Sequence, residues 1–209
     1  LDGRSAAVDG TSRWITNPAA RADVHRLRGL ADTILVGTAT VLADDPALTV
    51  RDADGLPVAL QPLRAVMGLS EIRPDAHVLD SVAATVLLRT RDPRLGLTEL
   101  FEQGARHVFL EGGPRLAASF VRAGLVDEVV AYLAPALLGA GPASVADLGI
   151  STIDAAQRLV VRDVALLGEG PDVNVRITGS LAHQTLARQS SADHSQSVTT
   201  PAAAQPERD

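Results

Sequence analysis

The feature that most constrains this chain is the way its apolar runs change period from one glycine to the next. Short runs of Val, Ile, Leu and Ala, each a strand's length, alternate with segments whose apolar residues recur at helical spacing. Thr33 to Val36 is such a run, stopped by Gly37. Arg64 to Met67, Thr85 to Leu88 and Glu128 to Leu133 are others, and His107 to Leu110 is broken by Glu111-Gly112-Gly113-Pro114. Between them, Thr16-Asn17-Pro18 starts a helix, with Asn as cap and Pro in the first helical position. Ala20, Val24, Leu27 and Ala31 carry its apolar face, and Arg21, Arg26 and Arg28 decorate the rest. Thr38 to Ala43, Leu97 to Gln103 and Leu116 to Ala123 read as further helices. Strands alternating with helices require a largely parallel sheet with helices on both faces. Leu159 to Leu167 and Val173 to Ile177, joined through Gly168-Glu169-Gly170-Pro171, predict a closing hairpin with antiparallel strands at one edge. The expected class is α/β.

Composition narrows this further. Hydrophobic residues make up 46% of the 209 but aromatics only 2%, so the core is built from Ala, Val and Leu, which suits layered packing. From about Leu181 the chain turns to Ser, Gln, Ala, Thr and Pro without periodicity. The expected organisation is one domain over 1–180 and a disordered tail over 181–209 that holds His183 and His194. A net charge of −6 argues against a nucleic-acid partner, yet local arginines can still hold a phosphate. The chain has no cysteine, which excludes disulfides, thiolate nucleophiles and cysteine-bound zinc, and its histidines lack metal-ligand spacing, so no metal is expected. No apolar run approaches the ~20 residues of a membrane span, and no leader pattern is visible; a cytoplasmic protein without membrane contact is expected.

Three segments carry candidate chemistry. Glu111-Gly112-Gly113-Pro114 lets the backbone turn closely around a ligand before a helix N-terminus that favours phosphate, or it is an ordinary strand-to-helix turn. Glu111 itself either accepts hydrogen bonds from substrate N–H groups in the crevice at the strand ends or is a solvated loop acid. In Leu42 to Arg51, Asp44 suits ribose hydroxyls and Arg51 suits bidentate phosphate binding; alternatively Asp44-Asp45-Pro46 is turn chemistry and Arg51 a surface cation. In Ser12-Arg13-Trp14-Ile15-Thr16, Trp14 either packs on a nicotinamide or staples the helix entry as a core residue. Arg28, beside Leu27, either anchors a phosphate or snorkels.

Together, Leu1-Asp2-Gly3-Arg4, Ser12 to Thr16, the Arg21 to Arg28 helix, Ala39 to Arg51, Glu111 to Ala117, Gly124 to Glu128 and Ala134-Pro135 resemble the C-terminal reductase domain of the bifunctional riboflavin-biosynthesis deaminase/reductase, over about residues 1 to 180. The resemblance implies a dihydrofolate-reductase-like fold, a homodimer, and NADPH-dependent reduction of 5-amino-6-(5-phosphoribosylamino)uracil to the ribitylamino product. It implies substrate contacts at Ser12, Arg28, Leu48, Arg51 and Glu111. It implies cofactor contacts at Trp14, Thr40, Asp44, Gly113, Pro114, Arg115, Leu116, Ala117, Ala118 and Ser119, with Asp44 and Glu111 as catalytic candidates. Two departures are visible. The family's first strand, with its lysine, precedes Leu1 and is missing here, so the chain reads as a fragment; and Met67-Gly68-Leu69-Ser70 replaces an Asp-Ser-like pair. The deaminase half would need zinc-binding Cys, which the chain lacks. The alternatives are a paralogous reductase of another pteridine or pyrimidine, or a non-catalytic dinucleotide-binding fragment.

Overall fold

A computed structural model describes residues 1–182. Helix α1 (Pro18–Arg28) starts as the sequence requires: the Asn17 side chain accepts from the Ala20 N–H, and Pro18 follows the cap. Then come β1 (Thr33–Gly37), α2 (Thr38–Asp44), β2 (Leu63–Met67), β3 (Thr85–Leu88), α3 (Pro93–Glu102), β4 (Val108–Leu110), α4 (Pro114–Arg122), β5 (Val129–Leu133), β6 (Leu159–Leu167) and β7 (Asn174–Leu181). Strands β1 to β4 form a parallel sheet in the order β3-β2-β1-β4. Alternation along β1 sends Ile34 and Val36 to one face and Leu35 to the other. The first face packs with Val41, Leu48, Val66 and Val78; the second packs with Ala65, Met67, Leu88, Leu100 and Phe120. Both faces are covered, which is why these strands are continuous apolar runs rather than alternating ones.

The expected antiparallel hairpin is present, but it is not an edge of the parallel sheet. β7 pairs with β6 on one side and with β5 on the other, giving a separate three-stranded sheet in the order β5-β7-β6. The sequence cannot foresee this, because β5 reads as another buried strand, whereas its ladder partner lies some 45 residues further on. Asn17 ties the two parts together. Its backbone N–H donates to Asn174 Oδ1, and its Nδ2 donates to the carbonyls of Leu167 and Asp172. Gly168 permits the approach, since a Cβ there would lie 2.4 Å from Asn17 Nδ2.

Other boundaries shift for local reasons. Helix α3 begins at Pro93 rather than Leu97, because Asp92 caps it and Pro93 fills the first position. β7 runs through Leu181, one residue past the expected end of the domain. The expected tail otherwise lies outside the described residues from 183 onward, and His183 and His194 fall there.

One buried cation organises the loops. The Arg64 side chain, on β2, is 0% exposed. It donates to Thr85 Oγ1, Asp80 Oδ1 and the carbonyls of Ala47, His77, Asp80 and Ala83. It thereby fastens the 77–85 segment and the chain before Leu48 to the sheet.

Candidate active site

The parallel strands end on a glycine-rich rim. β1 ends at Gly37, β2 is followed by Gly68, and β4 is followed by Glu111-Gly112-Gly113. The rim is tightly built. A Cβ on Gly68, whose φ is +142°, would lie 2.4 Å from Thr38 Oγ1, and one on Gly112 would lie 2.7 Å from Leu116 Cδ2. Gly113 differs: its Cβ would meet only Thr40 Oγ1, at 3.5 Å. The start of α4 and the face of α2 that bears Thr40 therefore adjoin, with open space beside Gly113. Asp44, four residues after Thr40, shares that helix face and is exposed.

The second cluster lies where the end of α1, the 45–51 segment and the end of β4 meet. Arg28, the last residue of α1, grips Glu111 bidentately, Nε to Oε1 and Nη2 to Oε2, both at 2.6 Å. Its Nη1 donates to the Thr49 carbonyl at 3.0 Å. Arg51 Nε donates to Thr49 Oγ1 at 3.3 Å and its Nη1 to the Gly55 carbonyl. Thr49 is buried and so holds both guanidinium groups. Gln61 braces the loop through the N–H and carbonyl of Val50. His25, three residues before Arg28 on the same face of α1, completes the cluster. Burial and the Arg28 charge push its imidazole below the ordinary histidine range, Glu111 opposes them, and Arg51 adds to the lowering.

Arg28, Arg51 and Glu111 thus come together around Thr49. The snorkelling and loop-acid readings fail for Arg28 and Glu111, because the two neutralise each other with side chains only 16% and 20% exposed. Several expectations change. Trp14 is not a core staple: it is 70% exposed, with the Arg21 guanidinium 4.3 Å from its ring centroid. The Leu48 side chain lies in the core, so only its backbone, held at φ +49°, can face a ligand. Ala118 is 0% exposed and Leu116 packs into the core, so of the Gly113 to Ser119 segment the first turn, Gly113, Pro114 and Arg115, faces outward. Ser119 Oγ is turned back on the Leu116 carbonyl. Ser12 is half-buried in its loop, its carbonyl accepting from Ile15.

Asp44 does not join the Arg28 cluster by a hydrogen bond. Its carbonyl accepts from Arg13 Nη2 at 3.4 Å, which brings the Trp14 loop against the end of α2. Asp45, its neighbour in the turn, is structural: His77 donates its N–H to Asp45 Oδ1, and His77 Nδ1 and Arg73 approach Oδ2. Sequence reasoning missed His25 and Thr49. The signal available was spacing: His25 precedes Arg28 by one helical turn, and Thr49 lies two residues before Arg51. Among the described residues no group of His, Asp or Glu could hold a metal, and no helix is long and apolar enough to cross a membrane.

The family model described as RibD C-terminal domain matches residues 1–174. A riboflavin biosynthesis protein RibD from Mycobacterium tuberculosis is 50% identical over 173 residues, covering 83% of this chain and 50% of the relative. The Escherichia coli protein of the same name is 33% identical over 213 residues, covering 86% and 58%. The chain thus spans about half the length of the curated relatives it matches. Among solved structures, Acinetobacter baumannii RibD superposes with a TM-score of 0.73 at 26% identity, over 87% of this chain and 55% of that one. A Thermotoga maritima deaminase/5-amino-6-(5-phosphoribosylamino)uracil reductase shares the fold, with a TM-score of 0.70 at 23% identity over 87% and 54%.

Proposed function

The chain belongs to the RibD C-terminal domain family, and from that premise we propose that it reduces 5-amino-6-(5-phosphoribosylamino)uracil to 5-amino-6-(5-phosphoribitylamino)uracil with NADPH. The observation that carries the reading is the adjacency of two unlike surfaces on one sheet edge. One is the backbone rim of Gly68, Gly112 and Gly113; the other is the arginine pair held by Thr49 against Glu111.

The rim suits a dinucleotide. Gly113 leaves the room that a Cβ would fill, next to Thr40 Oγ1, and the first turn of α4 presents backbone N–H groups. Thr40, Asp44, Gly113 and Arg115 would hold the cofactor, flanked by the Trp14 loop that Arg13 brings against the end of α2. NADPH supplies the hydride when bound.

The arginine side suits a sugar phosphate. Arg28 spends three N–H donors on Glu111 and Thr49 and keeps others, and Arg51 holds its present partners at 3.3 and 3.4 Å, weakly enough to exchange them. Glu111 accepts from the pyrimidine N–H groups while fixing Arg28. Asp44, or a water it orients, would supply the proton that completes reduction of the open-chain imine of the substrate sugar at C1′. Holding the two reactants in line and away from water is the protein's main contribution.

We further propose that the protein works as a homodimer joined through β6. This strand is a sheet edge that exposes Val160, Val161, Val164 and Leu166, and long apolar edges favour pairing. Val164→Glu is expected to halve the solution mass by light scattering; an unchanged dimer removes β6 from the interface. A cytoplasmic location goes with a biosynthetic role of this kind. For the activity itself, the purified protein is expected to oxidise NADPH at 340 nm only when the phosphoribosylamino-pyrimidine is present. Absence of both turnover and NADPH binding would overturn the assignment.

A further inference from the structure

We propose that His25 is the third member of the phosphate pocket: with Arg28 and Arg51 it receives the sugar-phosphate dianion, and its imidazole takes up the proton that balances the incoming charge. The inference rests on the phosphoribosyl reading above and adds to it a residue and a charge state.

His25 and Arg28 stand one turn apart on the same face of α1, and Thr49 lies beside both, its carbonyl accepting from Arg28 Nη1 and its backbone facing the imidazole. The imidazole Nδ1 is shut off from solvent and has no hydrogen-bond partner in the structure. A buried polar atom without a partner is costly and calls for an explanation. A charge-bearing ligand at the neighbouring arginines provides one.

The charges then decide the protonation state. The groups facing His25 are Arg28 from its own helix, Arg51 and the Thr49 backbone from the adjoining loop, and Glu111 from the end of β4. Two arginines and one glutamate leave the pocket singly positive, and burial together with Arg28 keeps His25 neutral. A phosphate dianion would tip the pocket to a single negative charge in a partly desolvated site. Protonating His25 restores neutrality and turns Nδ1 into a donor. The fork of Arg28 is already occupied by Glu111, so an imidazolium on the same face adds a donor to the few that Arg28 keeps. Two consequences follow: binding takes up a proton, and affinity falls as pH rises above neutrality, since the protonated imidazole is then harder to form.

The test is calorimetric titration of the wild-type protein and His25→Gln with ribose 5-phosphate at about pH 7.5, in two buffers of different ionisation enthalpy. At that pH the phosphate is already a dianion, its second pKa being about 6, so protons taken up land on the protein. The wild type is expected to gain a substantial fraction of a proton and to bind more weakly at higher pH; His25→Gln is expected to gain almost none and to lose the pH dependence. Glutamine keeps a donor, so a merely structural histidine would leave proton uptake unchanged. A second readout needs no variant: the His25 Hε1 resonance should move to the imidazolium position as ribose 5-phosphate is added. Equal proton uptake in both proteins, or a stationary His25 resonance with ligand bound, overturns this inference and leaves the phosphoribosyl reading standing. Failure of the wild type to bind ribose 5-phosphate overturns both.

Discussion

Arg64→Met tests the organisation of the loops most directly. Arg64 is fully buried and donates to four carbonyls, a threonine hydroxyl and the Asp80 carboxylate. Methionine fills similar space but removes the charge and every donor. The Asp80 side chain, 38% exposed, keeps its water and loses little. The inward carbonyls of Ala47, His77, Asp80 and Ala83 lose their partner, and each buried acceptor left unpaired costs about 1–3 kcal/mol. Those near the surface recover part of this from water, and the variant no longer desolvates a cation, which offsets some of the rest. A net loss of about 3 kcal/mol results, and at roughly 2–4 °C per kcal/mol for a domain of this size the melting temperature should fall by about 6–12 °C. Urea unfolding followed by circular dichroism would measure it. A loss below about 1 kcal/mol would refute the argument, because it would mean that the carbonyls do not depend on Arg64.

Three further outcomes are expected. Arg51→Ala should raise KM for the pyrimidine at least about tenfold, or ~1.4 kcal/mol, while KM for NADPH stays within about twofold in steady-state assays. Gly68→Ala should destabilise by about 1–3 kcal/mol, through backbone strain and a methyl 2.4 Å from Thr38 Oγ1; adding Thr38→Ala should recover only the steric part in thermal melts. Asp23→Asn should flatten the acid limb of the stability curve. Burial works against the Asp23 carboxylate, but Arg176, Tyr132 and Arg26 outweigh it and hold its pKa below the usual range. Its stabilisation is therefore complete above the unfolded value of about 3.9 and is lost as pH falls through the depressed native value. Thermal melts between about pH 5 and 2 would show the wild type losing more stability than the variant.

What the sequence determined by itself was local. Asn17-Pro18 dictates where α1 begins, the glycines at the ends of β1, β2 and β4 dictate where the chain turns, and uninterrupted apolar runs dictate strands buried on both faces. Each of these depends on residues within a turn of one another, so spacing suffices to read them. The residues of the candidate site were likewise legible as types: arginines for phosphate, a glutamate at a strand end, glycines before a helix.

Tertiary structure decided the rest. β5 leaves the parallel sheet because its hydrogen-bonding partner, β7, is supplied by the end of the domain, a pairing that no local pattern encodes. Leu48 turns its side chain into the core, and Ala118 lies beneath its helix, so resemblance alone could not say which atoms face a ligand. Arg28 and Glu111, 83 residues apart, become one ion pair only when the end of α1 is laid against the end of β4. That contact brings Glu111 to His25, where it opposes the lowering by burial and by Arg28, a neighbour that the fold and not the local sequence supplies.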